Sequence, residues 1–438
     1  MKVSNWGRYP EVEADVKLLN PLKVAAQIDG AKDFIVRGLG RSYGDASLSA
    51  NIYSALHLNH YLAFSAETGR LHAQAGVSFK DIIDTFLPKG WFLPVTPGTK
   101  YITLGGAIAA NVHGKNHHSE GSFFRHVESI TLLTAEGKLL ECSRKQHPKL
   151  FEATFGGMGL TGIILSAVFK LKKVTSAYIR QQTLKASNLA DVFALFERTQ
   201  SYTYSVAWID CLAKGKNLGR SVLMLGEHAE KTEVKTTKPL NYQEKSLFTL
   251  PIDFPTWLLN PLSIGAFNQV FYHKHINGAE DIIPLEPYFY PLDKIKHWNR
   301  MYGKRGFLQY QFVLPLQNSY EGMQELLSII NQQQNPSFLA VLKLFGKKDA
   351  GYLSFPQEGY TLALDFPYSK EILSVLTKLD EIVQKYEGRV YLAKDARMHP
   401  YFFRAGYPEL EAFEAIKREY DPHLKLQSDL SKRLKMFT

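Results

Sequence analysis

Hydrophobic and polar positions change their period along this chain. Up to about Ser176, short apolar runs alternate with glycine-rich turns. Phe34-Ile35-Val36 predicts a buried strand, His72 to Gly76 a second, and Ile163 to Leu171 a longer one. Ser78 precedes an apolar-periodic stretch and predicts a capped helix through Phe86. Ser129 to Thr134 and Lys138 to Ser143 predict a hairpin about Glu136-Gly137. Beyond Ser176, period-two alternation recurs in Tyr204 to Asp210, Ser221 to Leu225, Phe307 to Leu314, Phe338 to Phe345 and Tyr360 to Phe366. Such runs predict an antiparallel sheet. Gly388 to Arg397 predicts a last strand, with helices from about Pro408 to Arg418 and after a cap at Ser428 or Asp429.

Several of these strands carry polar residues where a core face should be apolar. Gln309 and Gln311 lie two apart, and so share a face. Lys343 interrupts Leu339, Val341 and Phe345; Ser205 and Thr361 sit in similar strands. One such residue alone is ordinarily solvent-facing. Together they predict a sheet face lining a polar pocket. Between the strands, Glu227 to Ser246 is polar and lysine-bearing and predicts a mobile loop. Leu247 to Tyr272 is strongly apolar, broken by Pro251, Pro255 and Pro261. It is either core or an apolar lid suited to a lipid tail or membrane interface.

The densest chemistry lies in TPGTKYITLGGAIAANVHGKNHHSEGSFFRH, from Thr96 to His126, with five glycines and four histidines. Glycine lets backbone approach a ligand closely, and unshielded N–H groups form nests for phosphate oxygens. Gly38, Gly40 and Gly44, with Arg41 and Ser42 as donors, form a second cradle; its spacing is not that of a Rossmann fingerprint. Two cradles suit a pyrophosphate, although each alone is equally a tight turn. A zinc set from His113, His117 and His118 is disfavoured, because the adjacent pair points apart and no cysteine is near.

At 438 residues the chain is long enough for two domains. Its 45% hydrophobic content and 21% charge suit a globular protein. The net charge of +10 favours anionic substrates, phosphates or acidic lipid; no Lys/Arg block points to nucleic acid. Cys142 and Cys211 cannot build a disulfide framework, which fits a cytoplasmic protein. Neither a signal peptide nor a transmembrane run is expected, whereas peripheral membrane contact is compatible with the sequence.

As a set and in order, RGLGRSYGD, VTPGT, GGAIAANVHGKNHH, GSFFRHV, GGMGLTGII, FLQYQF, VLKLFG, YLAKD and SDLSKRL resemble the decaprenylphosphoryl-ribose 2′-oxidase family. The likeness runs from Trp6 to the C-terminus. It implies an α+β, two-domain FAD-binding fold of the vanillyl-alcohol-oxidase (PCMH) type. Residues 1–176 would form the FAD domain, 177–388 an inserted antiparallel-sheet substrate domain, and 389–438 the return to the FAD domain. For the cofactor it implies Val36, Arg37, Gly38, Leu39, Gly40, Arg41, Ser42, Tyr43, Gly44, Asp45 and Ala46 around the pyrophosphate. Gly98, Thr103, Leu104, Gly105, Gly106, Ala110, Asn111, Val112 and His113 would follow along the dinucleotide, with Ile163 at the adenine and Tyr391 at the flavin. Arg41 stands where many oxidases of the wider fold carry a linking histidine, so the FAD is expected to be non-covalent.

The implied reaction oxidises a sugar C2′ hydroxyl to a ketone, with Lys394, His113, Lys115 and Tyr43 as the catalytic set. Ser205, Trp208, Gln309, Gln311, Lys343, Thr361 and Ala363 would contact substrate. Ala363 stands where the mycobacterial enzyme has a cysteine, and Thr361 replaces an amide. Hydride transfer needs no cysteine, but attack on a thiol at position 363 is excluded. The implied substrate is a polyprenyl-phosphate pentose, with a short-chain reductase as the partner completing an epimerisation. A soluble sugar or aldonolactone oxidase of the same fold is the competing expectation.

Overall fold

The computed structural model describes residues 1–242, 248–255, 258–332 and 337–437. The Ser78 signal acts as a capping box: its hydroxyl accepts from Asp81 N, and the Asp81 carboxylate accepts from Ser78 N. The helix Phe79–Phe86 that it starts buries Phe79, Ile82, Ile83 and Phe86 on one face. Parallel strands Asp15–Leu18, Asn51–Ser54 and Phe34–Arg37 form a small sheet. A five-stranded antiparallel sheet holds the hairpin Val127–Leu133 and Leu139–Ser143, with Ile163–Lys170 beside it.

An eight-stranded antiparallel sheet forms the second half of the molecule. Its order is Ala279–Pro284, Tyr178–Ala186, Ser221–His228, Tyr204–Ile209, Ala340–Phe345, Gly359–Pro367, Phe307–Pro315, Arg389–Val390. The first two of these strands carry no clear alternation. Ala279–Pro284 is an edge strand with Glu280 and Asp281 in solvent, and Tyr178–Ala186 mixes charged and apolar residues.

Three expectations are corrected here. The strand expected over Gly388 to Arg397 is confined to Arg389–Val390. Lys394 N donates to Tyr391 O at 2.9 Å, so the chain turns before Lys394, and a short helix Pro400–Gly406 follows. Glu227 and His228 extend a strand rather than opening a loop; the remainder of that polar stretch carries turns, and its residues 243–246 lie outside the described residues. In the apolar stretch Pro261, expected to break a helix, instead opens one, Pro261–Lys274, capped by Asn260. Leu247, Thr256 and Trp257 of that stretch lie outside the described residues. Among the described residues no helix is long and apolar enough to cross a membrane.

The C-terminal segment crosses back to the first sheets. Phe34 N donates to Lys425 O at 3.0 Å, and Gln427 N donates to Phe34 O at 2.9 Å. Ser428 caps the helix Asp429–Arg433, and the Arg433 guanidinium donates to Asp45 and Asp395, each at 2.8 Å. A buried pair, Lys100 with Glu286, pins the glycine-rich loop to the segment that follows the edge strand Ala279–Pro284. The neighbouring Tyr242 hydroxyl also donates to Glu286.

Candidate active site

One cavity of about 810 Å³ runs between the glycine-rich turns and the large sheet. On one wall lie Val36, Gly38, Leu39, Gly40, Arg41, Ser42, Tyr43 and Ala46, then Gly98, Thr103, Gly105, Gly106, Ala110 and Val112. A Cβ on Gly98 would meet nothing within 4 Å, and one on Gly106 only Thr103 Oγ1. Side chains there would project into the cavity. Arg41 lies over the Trp6 ring and near Tyr101, and its buried Nε has no hydrogen-bond partner among the described residues. Open backbone and an orphaned guanidinium N–H are what a bound pyrophosphate would satisfy. These residues fit FAD.

The rest of the lining brings His113 and Lys115, from the end of the glycine-rich stretch, together with Trp208, Gln309, Gln311, Lys343, Ala363, Tyr391 and Lys394. Strand register explains much of the set: Gln309 pairs with Asp365, Gln311 with Ala363, Val341 with Ala363 and Lys343 with Thr361. Tyr391 is fixed by its hydroxyl, which donates to Ala110 O at 2.8 Å, and by stacking on Phe355.

His113 is buried, with the Gln311 amide nitrogen 3.2 Å from its Nε2 and no partner at Nδ1 among the described residues. Burial, then Lys343, His117 and Lys394, push its pKa well below the usual range, so the ring is neutral. The Lys115 ammonium donates to Tyr288 O and lies 4.4 Å from the centre of the Tyr288 ring. Burial and then Lys343 bring its pKa down to about 7. Burial alone brings Lys343 to about 8. Lys394 Nζ sits 3.9 Å from the centre of the Tyr43 ring. Burial lowers its pKa to about 7, with Asp365 opposing and Lys343 adding. The Tyr43 phenol, raised mainly by burial, stays protonated.

Eight expected contacts lie off the cavity wall. Arg37 instead holds Asn5 and donates to Ser4 O at 2.8 Å. Gly44 allows backbone to pass: a Cβ there would collide with Asp395 O. Asp45 takes Arg433, as described above. Leu104 is wholly buried in the main core. Asn111 donates to Ser354 Oγ at 2.7 Å and accepts from Ser122 Oγ at 2.8 Å. Ile163 packs with Phe34, Leu133 and Leu426, while Gly162 and Ile164 on either side reach the cavity. Ser205 lies off the wall, its N–H donating to Lys115 O at 2.9 Å, while Val206, Ala207 and Trp208 after it line the cavity. Thr361 lies behind Gln311, accepting from its amide at 3.3 Å and donating to Phe312 O at 2.7 Å.

Two carboxylates escape the sequence reading. Asp293 lines the cavity, accepting from Thr99 Oγ1 at 3.1 Å and Lys100 N at 3.0 Å. Nothing in its local sequence marks it. Asp365 is wholly buried beneath Gln309, and it continues the face begun by Thr361 and Ala363, a signal that alternation carries. Phe267, Phe271 and Lys274 of the Pro261–Lys274 helix, with His275 just after it, also line the cavity.

A family model described as an FAD binding domain matches residues 18–143, and one described as D-arabinono-1,4-lactone oxidase matches residues 301–434. A decaprenylphosphoryl-beta-D-ribose oxidase of Mycolicibacterium smegmatis is 35% identical over 99% of this chain and 97% of its own length. The L-gulonolactone oxidase of Bos taurus is 22% identical, over 96% of this chain and 95% of its own.

Proposed function

Since the chain belongs to the decaprenylphosphoryl-β-D-ribose oxidase family and is an FAD-dependent oxidoreductase, we propose that it oxidises the C2′ hydroxyl of a polyprenyl-phosphate pentose to a ketone. The observation that carries this is the cavity itself: polar and cationic at Lys394, Lys343 and His113, apolar where Trp208 and Phe267 pack on Phe271, with Lys274 and His275 beside them. A sugar suits the first part and a prenyl chain the second. Bound FAD, held by the two glycine cradles and Arg41, supplies the acceptor for the hydride that leaves C2′.

Within that site the Lys394 amine, neutral in part near pH 7, takes the hydroxyl proton. The ring face of Tyr43 braces the ammonium that results. Neutral His113, held by Gln311, presents Nδ1 to the oxygen on which charge develops. Lys115 is committed to the Tyr288 carbonyl and shapes the pocket from behind.

The Pro261–Lys274 helix exposes apolar side chains among polar ones on its outer side. Phe267 and Phe271 face the cavity, whereas Leu262 is 85% and Val270 67% exposed, with Ile276 just beyond at 73%. Large apolar side chains left in solvent beside Gln269, His273 and Lys274 suit a partner that offers both apolar and anionic groups. A lipid surface, from which a prenyl chain would enter, is such a partner, and a reductase acting on the ketone would complete an epimerisation. The match of residues 301–434 to the arabinonolactone-oxidase model favours the alternative, a soluble sugar-lactone oxidase. Anaerobic mixing with a prenylphosphoryl pentose, the free pentose and an aldonolactone tests the choice. Bleaching of the flavin by the prenylated sugar is the expected result; bleaching by the lactone alone would overturn it.

A further inference from the structure

Asp365 is wholly buried, and among the described residues its carboxylate receives only neutral hydrogen bonds, from Gln309 Nε2 at 2.6 Å and from the Tyr302 hydroxyl at 3.3 Å. A buried carboxylate needs an opposing charge. Gln309, which donates to it, lines the cavity together with Lys394, and the Tyr302 ring stacks on Phe307, against which the Tyr43 ring beneath Lys394 packs edge-on; through this cluster the carboxylate favours the Lys394 ammonium and the ammonium favours the carboxylate. Lys394 itself meets the Tyr43 ring face.

The other charged and titratable neighbours work differently. Lys343 and His113 face Lys394 from the cavity side, and Lys343 disfavours its charge. Arg41, two residues before Tyr43 on the same wall, and Asp293 act on Tyr43. Asp395, next in the chain, is engaged by Arg433 at 2.8 Å. The Asp365 amide is anchored as well, donating to Leu339 O and to Ser337 Oγ, each at 3.1 Å, so the carboxylate cannot drift with the strand.

We propose that Asp365 is the positioning residue of this site, orienting the Gln309 amide and fixing how readily Lys394 holds a proton. Burial brings the Asp365 pKa up to about 7, with Gln309, Lys394 and Tyr302 opposing. The Lys394 charge favours the ionised carboxylate, and the ionised carboxylate favours the Lys394 ammonium. Loss of the carboxylate charge disfavours the ammonium, so the Lys394 titration must move to lower pH. The consequence for turnover rests on the proposed function above; the coupling does not.

The test needs no substrate. Holoenzyme is pulsed with acetic anhydride across pH, and the extent of Lys394 acetylation is read by mass spectrometry. Asp365→Asn should lower the midpoint by roughly one pH unit or more, while Asp365→Glu should restore it towards wild type. An unchanged midpoint in a folded, FAD-loaded Asp365→Asn protein overturns the proposal. If that variant does not fold, Tyr302→Phe removes one donor to the carboxylate and should shift the midpoint the same way by less; no shift then overturns it. The rising limb of flavin reduction against pH should move with the labelling midpoint. A labelling shift without a kinetic one would uphold the coupling and sink Lys394 as proton acceptor.

Discussion

The Arg41 guanidinium lies 4.1 Å from the centre of the Trp6 ring, with Nε buried and unpartnered among the described residues. An arginine in this position cannot form a covalent link to a flavin. Its N–H groups can instead donate to phosphate oxygens.

The FAD of the purified protein should therefore be released by acid or heat, leaving colourless precipitate and yellow supernatant. Arg41→Ala should weaken FAD binding about tenfold to a hundredfold, the range expected for a lost hydrogen bond to a charged group. Fluorescence titration of the apoprotein measures this. Flavin that stays with the precipitate would show a covalent bond elsewhere.

Ala363 lines the cavity, so Ala363→Cys places a thiol beside the substrate. Background labelling should be low. Cys142 and Cys211 are buried, and burial raises both thiols, Cys142 to about 12. Treatment with a small maleimide followed by mass spectrometry should give one adduct in the variant and none in the wild type. A thiol that stays unmodified at position 363 would place this strand face away from the cavity.

The outer face of the Pro261–Lys274 helix predicts binding to lipid. The protein should float with vesicles containing anionic phosphatidylglycerol, and salt should weaken the effect. Changing Leu262, Val270 and Ile276 together to serine should abolish flotation while leaving FAD content unchanged, because these side chains lie off the cavity wall. Flotation that survives the triple change would move the contact elsewhere.

Lys100 and Glu286 are both buried, and the same junction holds the Thr96 hydroxyl against that of Tyr290 at 2.7 Å. Lys100→Met strands the Glu286 carboxylate. Breaking such a pair costs roughly 3–5 kcal/mol, so the urea midpoint should fall clearly. A midpoint within error of wild type would mean that Tyr242 alone suffices for Glu286.

Much of this is legible in the sequence, for a physical reason. Short-range signals such as the Ser78 cap and the hairpin of Val127–Leu133 with Leu139–Ser143 depend on neighbours along the chain. The inward face at Gln309, Gln311 and Lys343 is legible because strand alternation is strict. What escapes depends on distant partners. Gly44 and Asp45 sit in a glycine cradle by sequence, yet they serve the C-terminal return through Asp395 and Arg433. Lys394 reads as a strand residue, although the chain turns at Tyr391 and brings its ammonium over Tyr43. Asp293 reaches the cavity only through the junction with Thr99 and Lys100.

The turn before Lys394 makes the strongest kinetic prediction. Lys394 is half-buried with its Nζ over the Tyr43 ring, and the cofactor wall is built from other segments, chiefly 36–46 and 98–112. Lys394→Ala should therefore retain FAD. Substrate-driven flavin reduction should fall roughly 100- to 10,000-fold, the range for loss of a positioned proton acceptor. In the wild type that rate should rise with pH through about 7, because the lowered pKa leaves the amine protonated below that value and free to accept above it. The variant should lose this limb along with the rate. Single-turnover absorbance under anaerobic conditions, measured from about pH 5.5 to about 9 to span the shift, gives both. Near-normal reduction in the variant would show that His113 or a water takes the proton. Loss of FAD together with the rate would instead make Lys394 part of the cofactor's own binding wall.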